Sequence, residues 1–129
     1  QHAGILSEPE LAELYSAATV GVSLSLTNYS RVSQEMMACG LPCVELDTAS
    51  VRAALGGDDV VTLAPFDPLG LADAIERLLD DPALRERYGD AARRVVAGRT
   101  WERAAAQFEQ SLRQALPEGS QAPRTSGRE

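Results

Sequence analysis

The sequence contains no lysine and a single histidine, and all 12 of its cationic residues are arginines. The net charge of −7 argues against nucleic acid as a partner, because such binding depends on cations that neutralise phosphates. With His2 as its one imidazole, the chain alone cannot assemble a histidine-based catalytic triad or a metal cluster. Its apolar runs are far shorter than the ~20 residues that span a bilayer. These shortages indicate a globular protein.

Only two cysteines are present, Cys39 and Cys43, and both lie in the segment ACGLPCV. A disulfide across this Gly-Leu-Pro turn would need a strained geometry. A zinc site would need more ligands than the pair can supply. The favoured interpretation is two small buried thiols, one at the end of a helix and one in the next strand.

At 129 residues the chain has room for one compact domain. The ordered part is predicted to cover residues 1–116, and PEGSQAPRTSGRE, residues 117–129, reads as a disordered tail. The start has neither an initiating Met nor the pattern of a signal peptide, so we expect a fragment of a longer protein.

Short β-branched runs alternate with helical patterns, which predicts an α/β fold with a mostly parallel sheet. The run TVGVSLSL is apolar on both faces and is predicted to be a central strand, followed by strands in PCVEL and VVTLA. Helix starts are predicted at four capping residues: Ser7 with Glu10 in a capping box, Asp67, Asp81 and Thr100. Buried stripes are expected on two helices, one formed by Leu11, Leu14 and Tyr15 and one that includes Trp101 and Phe108.

The segment from Thr27 to Gly40 has the layout of a ligand site, because a strand leads through a polar loop into a helix. The amides of Arg31, Val32 and Ser33 fall in the first turn, where they have no helical acceptor and can bind an anion. The hydroxyls of Ser30 and Ser33 and the charge of Arg31 add to this, and together they suit a phosphate or diphosphate. The alternative is that Ser30 is only an N-cap.

Glu35 is the only acid between Tyr29 and Cys43. The core stripe of this helix is predicted to be Val32, Met36 and Cys39, which places Glu35 beside it. A carboxylate near an apolar core needs hydrogen-bond donors, and two adjacent ribose hydroxyls would supply them. The alternative is a glutamate favoured by the helix dipole, with its oxygens in water.

The stretch EMMACGLPCVEL resembles the donor-binding motif of retaining GT-B glycosyltransferases of group 1, the family-4-like enzymes. The upstream GILSEPELAELYSAATVGVSLS and the downstream LAPFDPLGLADAIERLLDDPALRERYGDAAR and RTWERAAAQF are similar to the same family. The resemblance covers about Ala3 to Leu116. It implies a Rossmann-like parallel sheet with flanking helices, the C-terminal part of a GT-B nucleotide-sugar-binding domain.

The resemblance also implies roles for individual residues. Glu35 matches the glutamate that binds the ribose hydroxyls of the donor, and the amides of Arg31, Val32 and Ser33 match those that meet the diphosphate. Asn28, Tyr29 and Ser30 match the loop that lies against the transferred sugar. Thr27 departs from the family, whose Glu-x7-Glu motif has its first glutamate at this position and its second at Glu35. Its Thr-Asn-x-Ser loop is similar to a rhamnosyltransferase-like branch, which would imply a deoxysugar donor.

The function implied by the resemblance is sugar transfer from a nucleotide-diphosphate donor to a glycan or lipid-linked acceptor. The acceptor would bind an N-terminal domain absent from this chain, so the fragment alone is expected to be inactive and to contain no catalytic residue. No metal or other cofactor is expected, and cytosolic nucleotide sugars imply a cytoplasmic protein, either free or peripheral to the inner face of the membrane. The alternative is a non-catalytic GT-B-like module that binds nucleotide or only partners. A receiver-type regulatory domain would need a cluster of acids at strand ends, which the sequence lacks.

Overall fold

The computed structural model describes residues 2–27, 30–55 and 59–116. The predictions for Asn28, Tyr29 and the tail 117–129 therefore lie outside the described residues. The elements in chain order are α1 (Glu8–Ala17), β1 (Gly21–Ser23), α2 (Arg31–Ala38), β2 (Cys43–Leu46), α3 (Ala49–Leu55), β3 (Thr62–Ala64), α4 (Pro68–Asp80), α5 (Pro82–Ala97) and α6 (Trp101–Ala115).

The chain divides into two compact units, residues 1–98 and 99–129. The first contains all of the described sheet, and the described part of the second is α6 with its flanking residues. The predicted domain of residues 1–116 stays a prediction.

The three strands form one parallel sheet in the order β1-β2-β3. Ser23 pairs with Glu45 across the first two strands, and Glu45 pairs with Leu63 across the next two. Because in-register neighbours point to the same face, these three side chains share one side of the sheet. The α/β class with a parallel sheet is confirmed.

Two apolar clusters cover the two faces of the sheet. On the face that includes Cys43, buried residues of α2 and α3 pack together with Ala92 of α5. On the face that includes Val44, the cluster is completed by Ala74 and Leu78 of α4 and by Leu84 and Tyr88 of α5. Helices on both faces explain why all four residues of β2 are buried.

The local helix signals are confirmed. Ser7 and Glu10 form the capping box of α1. The carboxylates of Asp67 and Asp81 accept hydrogen bonds from the amides of Gly70 and Leu84, and the Thr100 hydroxyl accepts one from Arg103. Each signal acts over three residues of sequence, so it depends little on the rest of the fold.

Gly40 ends α2, as predicted, in the left-handed conformation with φ 76°. A second glycine, Gly21, brings α2 close to the sheet. A Cβ at this position would lie 2.5 Å from the Met36 sulfur, so only glycine fits without displacing that side chain.

The prediction that TVGVSLSL is a central strand is wrong for the described part of the chain. β1 lies at the edge of the described sheet and has only three residues. Val22 and Leu24 are 41% and 55% exposed, and no described strand pairs with the outer side of β1. An apolar pattern indicates that a strand can be buried, but it does not identify what covers it.

Two predicted buried stripes are also wrong. In α1, Leu14 is exposed, and Leu11 and Tyr15 are only half-buried. In α6, Trp101 and Phe108 are 82% and 66% exposed, and none of the helix's residues is buried. In α1 the apolar side is only partly covered, because Tyr15 packs against the core cluster that includes Cys43 while Leu14 stays exposed.

Candidate functional site

The loop after β1 leads into the first turn of α2, as the sequence predicts. Ser30 is the N-cap, with extended backbone, and its hydroxyl accepts a hydrogen bond of 3.2 Å from the Val32 amide. The helix starts at Arg31, beyond the carboxyl end of a parallel strand, which is where open α/β sheets bind ligands.

The first turn of α2 contains no acidic residue, whereas that of α1 contains two. Arg31 and Val32 are exposed, and Ser30 is half-buried. The positive end of the helix dipole is thus reinforced by one guanidinium and is not opposed by any acid within the turn. This arrangement is suited to an anion.

Glu35 is exposed on α2, one turn beyond Arg31. The Tyr15 side chain of α1 lies near it: the pKa of Tyr15 is raised mainly by burial and then by the charge of Glu35. The carboxylate of Glu35 is thus accessible to hydrogen-bond donors from outside the chain.

The core stripe of α2 differs from the prediction. Ser33, Met36 and Met37 are buried, whereas Val32 is 45% exposed and Cys39 is only half-buried. The buried side of the helix is shifted by about one residue from the predicted side, because Ser33 and not Val32 occupies a core position. Thr27, the residue that departs from the family pattern, is exposed.

Ser33 can take this core position because it has a buried partner. Its hydroxyl donates a hydrogen bond to Oε1 of Glu45, which lies in β2. The sequence led us to expect that this hydroxyl would contact a phosphate. That expectation is wrong, because the side chain is fully buried and donates to Glu45 instead. Ser33 as a whole has no exposed surface, so the accessible residues of this first turn are Arg31 and Val32.

Glu45 is a functional candidate that the sequence reasoning missed. It is fully buried, and burial raises the pKa of its carboxyl to about 7, while a hydrogen bond from Ser23 acts in the opposite direction. The available signal was an acid at a central position of the strand CVEL, with apolar neighbours on both sides. A charged residue in a strand buried on both faces requires an explanation.

The two cysteines are free thiols, as expected, and Cys43 is buried. Burial, and then the charge of Glu45, raises the pKa of Cys43 to about 12, so this thiol stays neutral at physiological pH. In the ranges 2–27, 30–55 and 59–116, no three His, Cys, Asp or Glu side chains are grouped so as to hold a metal ion. Within the same ranges, no helix is long and apolar enough to cross a membrane.

The described fold is a Rossmann-like α/β unit, and the comparisons with known proteins agree with this fold. The chain superposes on sucrose-phosphate synthase from Thermosynechococcus elongatus, a GT-B synthase, with a TM-score of 0.75 and 33% identity. The match covers 89% of this chain and 30% of the synthase.

Sequence comparisons identify the family to which the chain belongs. The profile described as "Glycosyl transferases group 1" matches residues 2–81. The D-inositol 3-phosphate glycosyltransferase of Corynebacterium diphtheriae is 35% identical over 102 residues, which are 78% of this chain and 24% of that protein. The Frankia alni protein of the same name is 36% identical over 109 residues, 83% of this chain and 27% of its own length. The chain belongs to the glycosyl transferases group 1 family and spans roughly a quarter of the length of these two relatives.

Proposed function

We propose that this chain is the donor-binding part of a glycosyltransferase. The whole protein would transfer a sugar from a nucleotide-diphosphate donor to a glycan or lipid-linked acceptor bound by the remainder of the protein. The observation that carries the proposal is the acid-free first turn of α2, with the exposed carboxylate of Glu35 one turn further along. Membership of the family supports the same reaction class.

The diphosphate would bind at the first turn. Arg31, Val32 and Ser33 form the start of the helix, where first-turn amides can bind an anion, and the Arg31 side chain adds a full positive charge. The Val32 amide is partly engaged by the Ser30 cap and Ser33 has no exposed surface, so the Arg31 amide is the strongest candidate. Ser30, with Asn28 and Tyr29 in the loop before it, would lie against the sugar.

The ribose would bind at Glu35. Four residues of α-helix separate Arg31 from Glu35, a rise of about 6 Å along the axis. With the diphosphate on the first turn, this spacing would bring the carboxylate beside the ribose. Its two oxygens can each accept a hydrogen bond from one of the two ribose hydroxyls.

The mechanism would need no metal ion. The leaving diphosphate gains negative charge as the glycosidic bond breaks, and the helix dipole, the amides and Arg31 would stabilise this charge where a divalent cation does so in other enzymes. Since nucleotide sugars are made in the cytosol, we also propose a cytoplasmic location, either free or peripheral to the inner face of the membrane.

Thr27 bears on the choice of donor. It offers one hydroxyl and a methyl group where the family has a carboxylate, so this position can accept fewer sugar hydroxyls. A deoxysugar donor such as dTDP-rhamnose, as in the rhamnosyltransferase-like branch, fits such a site. The same substitution favours the second candidate function, a GT-B-like module that binds nucleotide without catalysis.

The experiment is calorimetric titration of the whole protein with UDP-, GDP- and dTDP-linked sugars, with and without EDTA. We expect at least one of them to bind with micromolar affinity, unchanged by the chelator. Steady turnover with an acceptor would distinguish the enzyme from the non-catalytic module. Failure of every nucleotide sugar to bind would overturn the proposed function, and loss of binding in EDTA would overturn the metal-independent mechanism.

A further inference from the structure

A buried carboxyl lies directly beneath the proposed diphosphate site. Glu45 has no exposed surface, and its Oε1 accepts the hydrogen bond from Ser33, the third residue of α2. Its Oε2 has no hydrogen-bond partner in the structure. Thr62 is the other described residue with such a buried, unpaired side-chain oxygen, and it points to the opposite face of the sheet.

The described side chains identified beside Glu45 are two hydroxyls, a thiol and an apolar residue. Ser23 faces it from β1, Ser33 from α2 and the Cys43 thiol from its own strand, and its in-register neighbour on β3 is Leu63. None of the ion pairs among the described residues includes Glu45. A negative charge on this carboxyl therefore has no ion-pair partner among the described residues, and it lowers the positive potential that the start of α2 presents to a ligand.

We propose that Glu45 is a positioning residue of the donor site that couples binding to proton uptake, so that the diphosphate binds most tightly when Glu45 is protonated. The proposal rests on the proposed function, because it concerns the same first turn of α2. A diphosphate carries negative charge, and two like charges close together in a poorly solvated region repel each other strongly. A bound diphosphate therefore favours the neutral form of Glu45.

The pH range follows from the raised pKa of Glu45, about 7. A bound diphosphate raises this pKa further, so the affinity is constant below about pH 7 and falls as the pH rises to the pKa of the complex. Above the pKa that Glu45 has in the complex, the affinity is constant again. Cys43, with a pKa of about 12, stays neutral throughout this range and does not contribute.

The test is calorimetry of the whole protein from pH 6 to pH 9. The ligand is whichever UDP-, GDP- or dTDP-linked sugar the protein binds. A nucleotide sugar is the correct probe because its diphosphate is esterified at both ends and has no group that titrates there. Two buffers with different ionisation enthalpies report the protons taken up. We expect the affinity to fall about tenfold, which corresponds to a rise of one unit in the Glu45 pKa, with proton uptake near pH 7.5.

Glu45→Gln keeps the size of the side chain and removes the titration. We expect this variant to bind at pH 9 as tightly as the wild type does at pH 6, with a flat profile and no proton uptake. Two control variants should keep the wild-type slope: Asp47→Asn, which removes the next acid along the chain, and His2→Asn, which removes the one imidazole.

A flat wild-type profile, or the same slope in Glu45→Gln, would overturn the inference but leave the proposed function in place. Absence of binding at every pH would overturn both. If Glu45→Gln does not fold, ¹³C NMR of the Glu45 side chain in the wild type decides the matter. Its titration midpoint should lie near pH 7 without ligand and move upward with nucleotide sugar, and an unmoved midpoint would contradict the coupling.

Discussion

Replacement of Glu35 by alanine is expected to weaken nucleotide-sugar binding about a hundredfold. A hydrogen bond to a charged group contributes about 1.5–3 kcal/mol, and Glu35 would accept two of them from the ribose. The loss of about 3 kcal/mol corresponds to two factors of ten in affinity. Because Glu35 is exposed, the substitution should change the free energy of unfolding by less than about 0.5 kcal/mol.

The measurement is calorimetry of the wild type and the variant with the same nucleotide sugar, supported by a thermal melt of each. Glu86→Ala is the matched control, since it removes an exposed glutamate from α5, away from the first turn of α2. Glu35→Gln should fall between wild type and alanine, because it keeps an acceptor but loses the charge. Binding by Glu35→Ala within threefold of the wild type would show that the ribose assignment is wrong.

The second large effect concerns stability. The pKa of Glu45 is about 7 in the folded chain, against an ordinary value of 4.5. Between these values the folded state binds more protons than the unfolded state, so stability falls as the pH rises. The free energy of unfolding is expected to fall by about 3 kcal/mol because of this one residue. The decrease is complete by about pH 7, and no further change follows above that pH.

Urea denaturation at pH 5 and pH 8 measures this loss. The wild type should be more stable at pH 5, and Glu45→Gln should be nearly as stable at pH 8 as at pH 5. The lowered pKa values of the exposed acids Glu10, Asp47 and Glu102 act in the opposite direction, but only below about pH 4.5. Equal pH dependence in the two proteins would contradict the assignment of a buried, raised pKa to Glu45.

The sequence predicted the features that depend on short segments. The caps at Asp67, Asp81 and Thr100 each need one side chain and an amide three residues on. Gly40 after α2 likewise needs only a backbone conformation that glycine adopts readily. The parallel α/β class follows from alternating patterns of the same short range.

Features that depend on distant partners were not predictable in the same way. The phase of α2 depends on Ser33, whose buried hydroxyl is explained only by Glu45, 12 residues further along the chain. The exposure of β1 and of Trp101 depends on what covers an apolar surface, and a single sequence pattern carries no information about that. The start of α2 was thus predictable, whereas the contact between Ser33 and Glu45 was not.

Binding of a nucleotide-sugar diphosphate at the first turn of α2 underlies both proposals. Its most direct test is an amide ¹H–¹⁵N NMR titration of the whole protein with the nucleotide sugar that binds. The amides of Arg31, Val32 and Ser33 should shift most, whereas those of Gly70 and Leu84, at the capped starts of α4 and α5, should not move. Saturable shifts at another surface, with the first turn of α2 unaffected, would contradict the claim.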